Sequence, residues 1–370
     1  MKVGILTFPN SISYGASLQM CALYRTVEKL GHDAEIINYH NAYMKAEKHL
    51  TAHGTKRSLR SSIRFLAKFI LHRRLEKTFR AFEKKNMVIY PAKPIVEKDK
   101  LLPLGARYEA VVCGSDQIWN PDIMDSDMSY FLSFCGDETK RISYAPSFGV
   151  ERIADTFAAA AGNELQQFTA ISVREAAGRE LVKQITKQDV PIVADPTMLV
   201  EKQEWMAMES AHPMGKGDYI LYYTVKSSPN LLAYCKSLSH KTGLKIVIVG
   251  GNAVKKLKNR DPMLTYAVDA SPEEWLYLLH HARYVVTNSF HGTAFSIIYR
   301  KDFYVEFSSA TNSRLMNITE MFGLTDRVVK DSVCDCVSDC DYAETDKKMP
   351  ILRGESLQFL QDALSENKHG

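Results

Sequence analysis

The sequence predicts an α/β protein of two domains, and three observations carry that expectation. The chain opens with an apolar run, a glycine-containing loop, a helical period and a second apolar run, which together make one βαβ unit. The same alternation of short apolar runs and helical stretches starts afresh near residue 219. The length, 370 residues, suits two domains of ordinary size.

Composition narrows the class further. Hydrophobic residues make up 45% and charged residues 24%, enough apolar material for real cores. The formal net charge of +4 is too small to argue for a nucleic-acid binder, and it fits a substrate bearing phosphate or carboxylate. MKVGILTF enters a strand directly, without a signal-peptide pattern or an apolar run of about 18 residues, so a cytoplasmic protein is expected, at most at the inner face of the membrane. Seven cysteines is an odd number, and Cys21, Cys113 and Cys235 sit in apolar or helical surroundings that suit reduced thiols.

Val3 to Phe8 is expected as the first strand, Ala16 to Leu30 as a helix capped by Gly31, and Glu35 to Tyr39 as the second strand. The intervening loop is not GxGxxG, so a dinucleotide fingerprint is absent. Its Ser13, Tyr14 and Gly15 could line an anion or sugar pocket, or form a plain βα turn. Residues 45–85 are rich in lysine and arginine, with Leu59, Ile63, Leu66, Ile70, Leu75, Phe79 and Phe82 at helical spacing. One or two basic amphipathic helices are expected there. They suit an anionic membrane or a lipid-diphosphate acceptor, or else a solvated face.

Tyr108 to Cys113 is a buried strand that runs into Gly114-Ser115-Asp116-Gln117-Ile118-Trp119-Asn120-Pro121. Trp119 with Ser115 and Asp116 suits a sugar ring, whose apolar face stacks while its hydroxyls need acceptors; Asp116 equally suits a cap. Arg141 to Pro146 is a further strand and Ile153 to Phe168 a helix. Ala170 to Glu175 is a strand delivering Arg174 to a strand-to-helix corner. An arginine there can grip phosphate or carboxylate with two N–H groups, or pair internally with Glu175 or Asp116. Pro191 to Thr197 is a strand ending at a proline turn, and the domain boundary follows it. Domains of 1–196 and 197–345 are expected, with a terminal helix at 350–367.

Tyr219 to Val225 opens the second domain as a strand, followed by helix Leu231 to Thr242 and strand Lys245 to Val249, which ends in Gly250-Gly251-Asn252. Ser271 and Pro272 are an N-cap and a first helical residue for a helix to about His281. The stretch 284–298, YVVTNSFHGTAFSII, then reads strand, tight loop, helix start. Loops at the carboxyl ends of parallel strands are where open α/β sheets place ligands. His291 sits there beside Ser289, Gly292 and Thr293; the glycine admits a close neighbour and the helix N-terminus favours an anion. The alternative is a hydrogen-bonded core histidine. Strand Phe303 to Phe307 and a helix from Asn312 to Phe322 follow. Cys334, Cys336 and Cys340 lack an obvious fourth ligand, so an ordinary thiol-bearing turn is expected rather than a metal site.

SYGASLQMCAL, VVCGSDQIWNP, SYAPSFG, ISVRE, ADPT and TNSFHGTAFSI occur in one order along residues 13–297. In that order they resemble the polysaccharide pyruvyl transferases. The resemblance implies a GT-B-like architecture, two Rossmann-like domains facing across a cleft. It implies transfer of a pyruvyl group from phosphoenolpyruvate to two hydroxyls of a sugar, lipid-linked or not, as a cyclic ketal, with no metal or nucleotide cofactor. Arg174 matches the arginine expected to hold the donor and His291 the histidine expected to act as acid or base. Asp116 is the candidate for activating the acceptor. Ser289, Gly292 and Thr293 are assigned to the donor side, and Tyr14, Gly15, Ser115 and Trp119 to the acceptor side. Ser289 stands where many members carry arginine, which removes one anion contact and shifts that work to Arg174, Arg314 or a lysine. A glycosyltransferase using a nucleotide-sugar and a non-catalytic glycan binder are the rival readings.

Overall fold

The computed structural model describes residues 1–41, 59–124, 127–250, 261–307, 312–335 and 337–365, with side chains from 69 onward in the second of these. The chain divides into two compact units. One comprises Met1–Lys56, Glu83–Leu199 and Ile351–Gly370; the other comprises Arg57–Phe82 and Val200–Pro350.

The first unit is built on six parallel strands: β1 (Lys2–Leu6), β2 (Asp33–Tyr39), β3 (Ile89–Ile95), β4 (Ala110–Cys113), β5 (Lys140–Ser143) and β6 (Ala170–Ile171). Their order is β3-β2-β1-β4-β5-β6. Helix α1 (Tyr14–Lys29) joins β1 to β2, and helix α2 (Leu59–Asn86) precedes β3. Helices α3 (Asp155–Leu165) and α4 (Ala176–Thr186) flank β6. Val3, Ile5, Val111 and Val112 are fully buried, as near-continuous apolar runs should be in strands covered on both faces.

The chain reverses its winding between β1 and β4, so the loops after those two strands flank the crevice that such sheets use for ligands. Gly114 N–H donates to Leu6 O at 2.9 Å. The Thr7 hydroxyl donates to Ser115 O at 3.3 Å. The loop after β1 is held from the other side by Glu83, in the last turn of α2. Its carboxylate accepts from Asn10 N–H and from the Ser17 hydroxyl, each at 3.2 Å.

The second unit has five parallel strands: β7 (Tyr219–Tyr223), β8 (Lys245–Val249), β9 (Leu264–Ala267), β10 (Tyr284–Thr287) and β11 (Asp302–Val305). Their order is β11-β10-β7-β8-β9, so this unit reverses between β7 and β10. Helix α5 (Lys202–Ala207) precedes β7, and α6 (Pro229–Thr242) links β7 to β8. Helix α7 (Pro272–His281) runs into β10, α8 (Phe290–Tyr299) out of it, and α9 (Asn312–Met321) follows β11. At the start of α7 the Ser271 hydroxyl accepts from Glu274 N–H while the Glu274 carboxylate accepts from Ser271 N–H, a complete capping box.

Several elements differ from expectation. Pro191–Thr197 is not a strand; only Ile192 pairs, with Val173, and a short turn of 3₁₀ helix covers Pro196–Met198. Two prolines in seven residues remove ladder donors, so pairing fails. The terminal helix α10 (Ala343–Ser365) begins well before 350 and carries Pro350 inside it. In the basic segment α2 is one helix that buries Leu75, Phe79 and Phe82 but leaves Phe69 and Ile70 exposed. Residues 45–58 of that segment, Gly251-Asn252, Cys336 and residues 366–367 lie outside the described residues. No helix among the described residues is long and apolar enough to cross a membrane.

Candidate active site

Each unit carries a cluster at its own winding reversal. In the second unit it starts at the end of β10. The Asn288 side chain accepts from Val225 N–H at 3.0 Å and donates to Lys226 O at 2.9 Å, joining the loops after β10 and β7 across the reversal. Ser289 is the N-cap of α8, with extended backbone and its hydroxyl accepting from Gly292 N–H at 3.2 Å. Its own N–H donates to the Thr287 hydroxyl at 3.1 Å. The Thr293 hydroxyl donates back to Ser289 O at 3.0 Å, and that of Ser296 to Gly292 O at 2.7 Å. A hydroxyl network thus fixes the first turn of α8. His291, 7% exposed, lies on that turn with its ring edge-on to Phe290, centroids 5.3 Å apart.

This geometry corrects two assignments. Gly292 does not make room for a ligand: a Cβ there would lie 2.4 Å from Thr287 Oγ1 and 3.1 Å from Tyr223 Cδ1, so the glycine lets the helix start press on the end of the sheet. Thr293 is fully buried and its hydroxyl is committed to the helix. Ser289 likewise acts as a cap. Gly292→Ala is expected to cost about 1–3 kcal/mol by overpacking. Urea unfolding should show the midpoint fall with an unchanged slope; an unchanged midpoint would remove the packing account.

In the first unit the cluster centres on Asp195. Its Oδ2 accepts from Arg174 Nη1 and from the Ser115 hydroxyl, both at 2.9 Å. Its Oδ1 accepts from Thr197 N–H at 3.0 Å and from the Thr197 hydroxyl at 2.8 Å. Arg174 is 6% exposed, with Nε 3.6 Å from a Glu175 oxygen. Burial alone would lower its pKa, but Asp195, Glu175 and Asp116 hold it above the ordinary value. Arg174 therefore has the internal ion pair that its position allowed, chiefly with Asp195 rather than Glu175 or Asp116. One guanidinium thus serves several carboxylates.

Asp116 sits beside this cluster, half-buried, with φ +78° and its carboxylate accepting from Gln117 N–H at 2.8 Å. Asn10 in the loop after β1 (φ +57°) and Ala145 in the loop after β5 (φ +54°) are also left-handed without being glycine. Such strain is unusual and concentrates at functional loops. Sequence reading missed Asn10, Ala145 and Asp195. Asp195 entered only within the ADPT motif, with no role given to it.

Trp119 cannot stack on a sugar. It is fully buried, stacked on Phe131 with centroids 4.8 Å apart, and its indole N–H donates to Tyr130 O at 3.1 Å. Tyr14 and Gly15 are also buried, in the first turn of α1, which starts two residues earlier than expected. Ser13 is the cap of that helix, and α1 packs on the turn that follows Asp195. The expected acceptor side thus reduces to Asp116, with Ser115 behind it.

The family profile described as polysaccharide pyruvyl transferase matches residues 14–305, a span that holds both clusters. The chain belongs to that family. It is accordingly an enzyme that transfers a pyruvyl group to a polysaccharide. Among curated proteins none matches the sequence. A protein from Listeria monocytogenes, described as a candidate UDP-N-acetylglucosamine 2-epimerase, is similar in structure, with TM-score 0.51 at 9% identity over 100% of this chain and 92% of its own. The UDP-GlcNAc 2-epimerase of Methanocaldococcus jannaschii gives 0.49 at 13% identity, covering 100% of this chain and 94% of that one. The ADP-heptose heptosyltransferase II of E. coli gives 0.36 at 12%, covering 98% of each. The likeness to the Listeria protein, at 9% identity, is one of fold, and the pyruvyl transferase shares the GT-B class of two parallel-sheet α/β units.

Proposed function

We propose that the enzyme moves the pyruvyl group of phosphoenolpyruvate onto two hydroxyls of one sugar, in a cell-surface polysaccharide or its precursor, and closes a cyclic ketal. The observation that carries this reading is the placement of His291 on the fixed first turn of α8, at the winding reversal of the second sheet. There an imidazole and the positive end of a helix dipole share one locus, which suits an anionic substrate that must be protonated.

The chemistry balances as follows. The enol methylene carbon takes a proton and C2 becomes electrophilic. The first sugar hydroxyl adds to C2 and gives up its proton. The C2–O bond to phosphate breaks, and phosphate leaves with the electron pair. The second hydroxyl adds to C2, its proton goes to phosphate, and the methyl ketal carboxylate remains. His291 is assigned to the proton transfers. Arg314, in the first turn of α9, which packs against α8, is assigned to the donor's charge. Asp116 is assigned to the acceptor hydroxyls. The exposed basic face of α2, with Arg73, Arg80 and the apolar Phe69 and Ile70, is assigned to a membrane surface that presents the acceptor.

The test is incubation with phosphoenolpyruvate and candidate glycans. Phosphate release should accompany an acceptor that gains one pyruvate less one water and a ketal methyl signal in its NMR spectrum. Consumption of a nucleotide-sugar instead, with phosphoenolpyruvate untouched, would replace this reading with a glycosyltransferase.

A further inference from the structure

We propose that Glu209, His280 and His281 form a binding site for a borderline transition-metal dication, zinc first, which clamps the second unit at the end of the sheet opposite His291. One nitrogen from each ring and one carboxylate oxygen lie within 4.8 Å of one another. His280 Nδ1 is 2.9 Å from Glu209 Oε1, and His281 Nδ1 is 3.8 Å from Oε2. Neighbouring residues on a helix do not ordinarily share a target. Here the last two residues of α7 both turn to one carboxylate, their ring centroids 4.7 Å apart.

The surroundings hold the rings in place. Tyr277 stacks on His281 with centroids 4.0 Å apart, and its carbonyl oxygen is 3.0 Å from Nδ1 of that ring. Tyr299 stacks on His280, centroids 4.6 Å apart. The two stacked tyrosines fix the orientation of both rings. The Glu209 side chain is 9% exposed, that of His280 18% and that of His281 42%, so the cluster is walled on one side and open to solvent and ion on the other.

The donor set selects the ion. Two imidazole nitrogens and a carboxylate, with water completing a tetrahedron, suit zinc and its first-row neighbours. Magnesium and calcium want oxygen and would not take it. An ion held at about 2.0–2.2 Å from each donor would draw the three atoms together. It would tie the segment after α5 to the last turn of α7, and through Tyr299 to the last residue of α8. The site is far along α8 from His291, so its role is to stiffen the unit and not to take part in the reaction.

The experiment uses the full chain without a histidine tag, stripped with chelator. Thermal melting is followed with zinc chloride and with magnesium chloride, and zinc bound per chain is counted by native mass spectrometry. We expect one zinc per chain, a saturable rise in Tm with zinc and none with magnesium. At zinc one hundred times above Kd the folding equilibrium shifts about a hundredfold. Glu209→Gln and His281→Asn should both abolish the tight zinc and the rise. His281 is exposed, so its variant should melt like the wild type when zinc is absent. Retention of one tight zinc in His281→Asn, or no zinc in the wild type, would overturn the proposal and leave a Glu209–His280 ion pair alone.

Discussion

His291→Ala is expected to lower kcat with phosphoenolpyruvate and an accepted glycan by ~10²–10⁴-fold, the range of acid–base assistance by one side chain. The ring lies on a turn whose hydroxyls and backbone are fixed by Ser289, Thr287 and Thr293, and none of those bonds uses the imidazole. Truncation should therefore leave the turn in place. Two readouts separate chemistry from damage. Added imidazole should restore part of the rate, because it can occupy the vacated space and move protons. The KM for the acceptor should change little. Full activity in His291→Ala would remove the histidine from the reaction. A rate lost without imidazole rescue, together with a lowered Tm, would make it a core histidine.

Arg174→Ala should cost about 3–5 kcal/mol of stability, because it strands the Asp195 carboxylate in the interior without its cation. Ser115 and Thr197 would still donate to Asp195, which holds the loss near the lower end. The pair gives a sharper expectation than the single variant. Removing both charges, Arg174→Ala with Asp195→Ala, should recover much of the loss, since the penalty lies in the orphaned charge. The double variant then asks whether Arg174 also grips the donor. If the folded double variant still shows a phosphoenolpyruvate-dependent rise in Tm, the arginine positions the loops after β4 and β6 and does not bind the donor. If the single variant melts like the wild type, the buried ion pair is not what holds this cluster.

Elements with strong periodicity and local caps were legible. The run YVVTNSFHGTAFSII folds as strand, loop and helix start, and α7 begins at Ser271 and ends at His281 as its cap and proline indicate. Two of the edge strands, β3 and β9, were not. β3 contains Pro91 and Pro94, which a strand tolerates only where one side lacks a partner, so its sequence carries turn signals. β9, LTYA at the other sheet's edge, lacks the β-branched run that marks β10. At the sites, residue type did not show which side chains are committed to the core. Trp119, Gly292 and Thr293 look like ligand-binding residues because the same chemical groups also fill cores, permit close contacts and cap helices. Asp195 was hidden because an Asp-Pro-Thr turn looks the same whether it faces solvent or a buried arginine. Only packing separates these uses, and packing joins residues far apart in sequence, such as 115 with 195.

A ribosome makes this protein in an order that its fold does not follow. The first unit includes the second half of α10: Ser356 accepts from Ala194 N–H at 2.9 Å, Arg353 donates to Met198 O at 2.8 Å, and Lys140 reaches Leu364 O at 2.7 Å. Leu360 and Leu364 are fully buried. All of the second unit is translated by residue 350, before the second half of α10. The first unit can therefore be completed only after the second has been translated. Until then the surface that receives Leu360 and Leu364 has no cover.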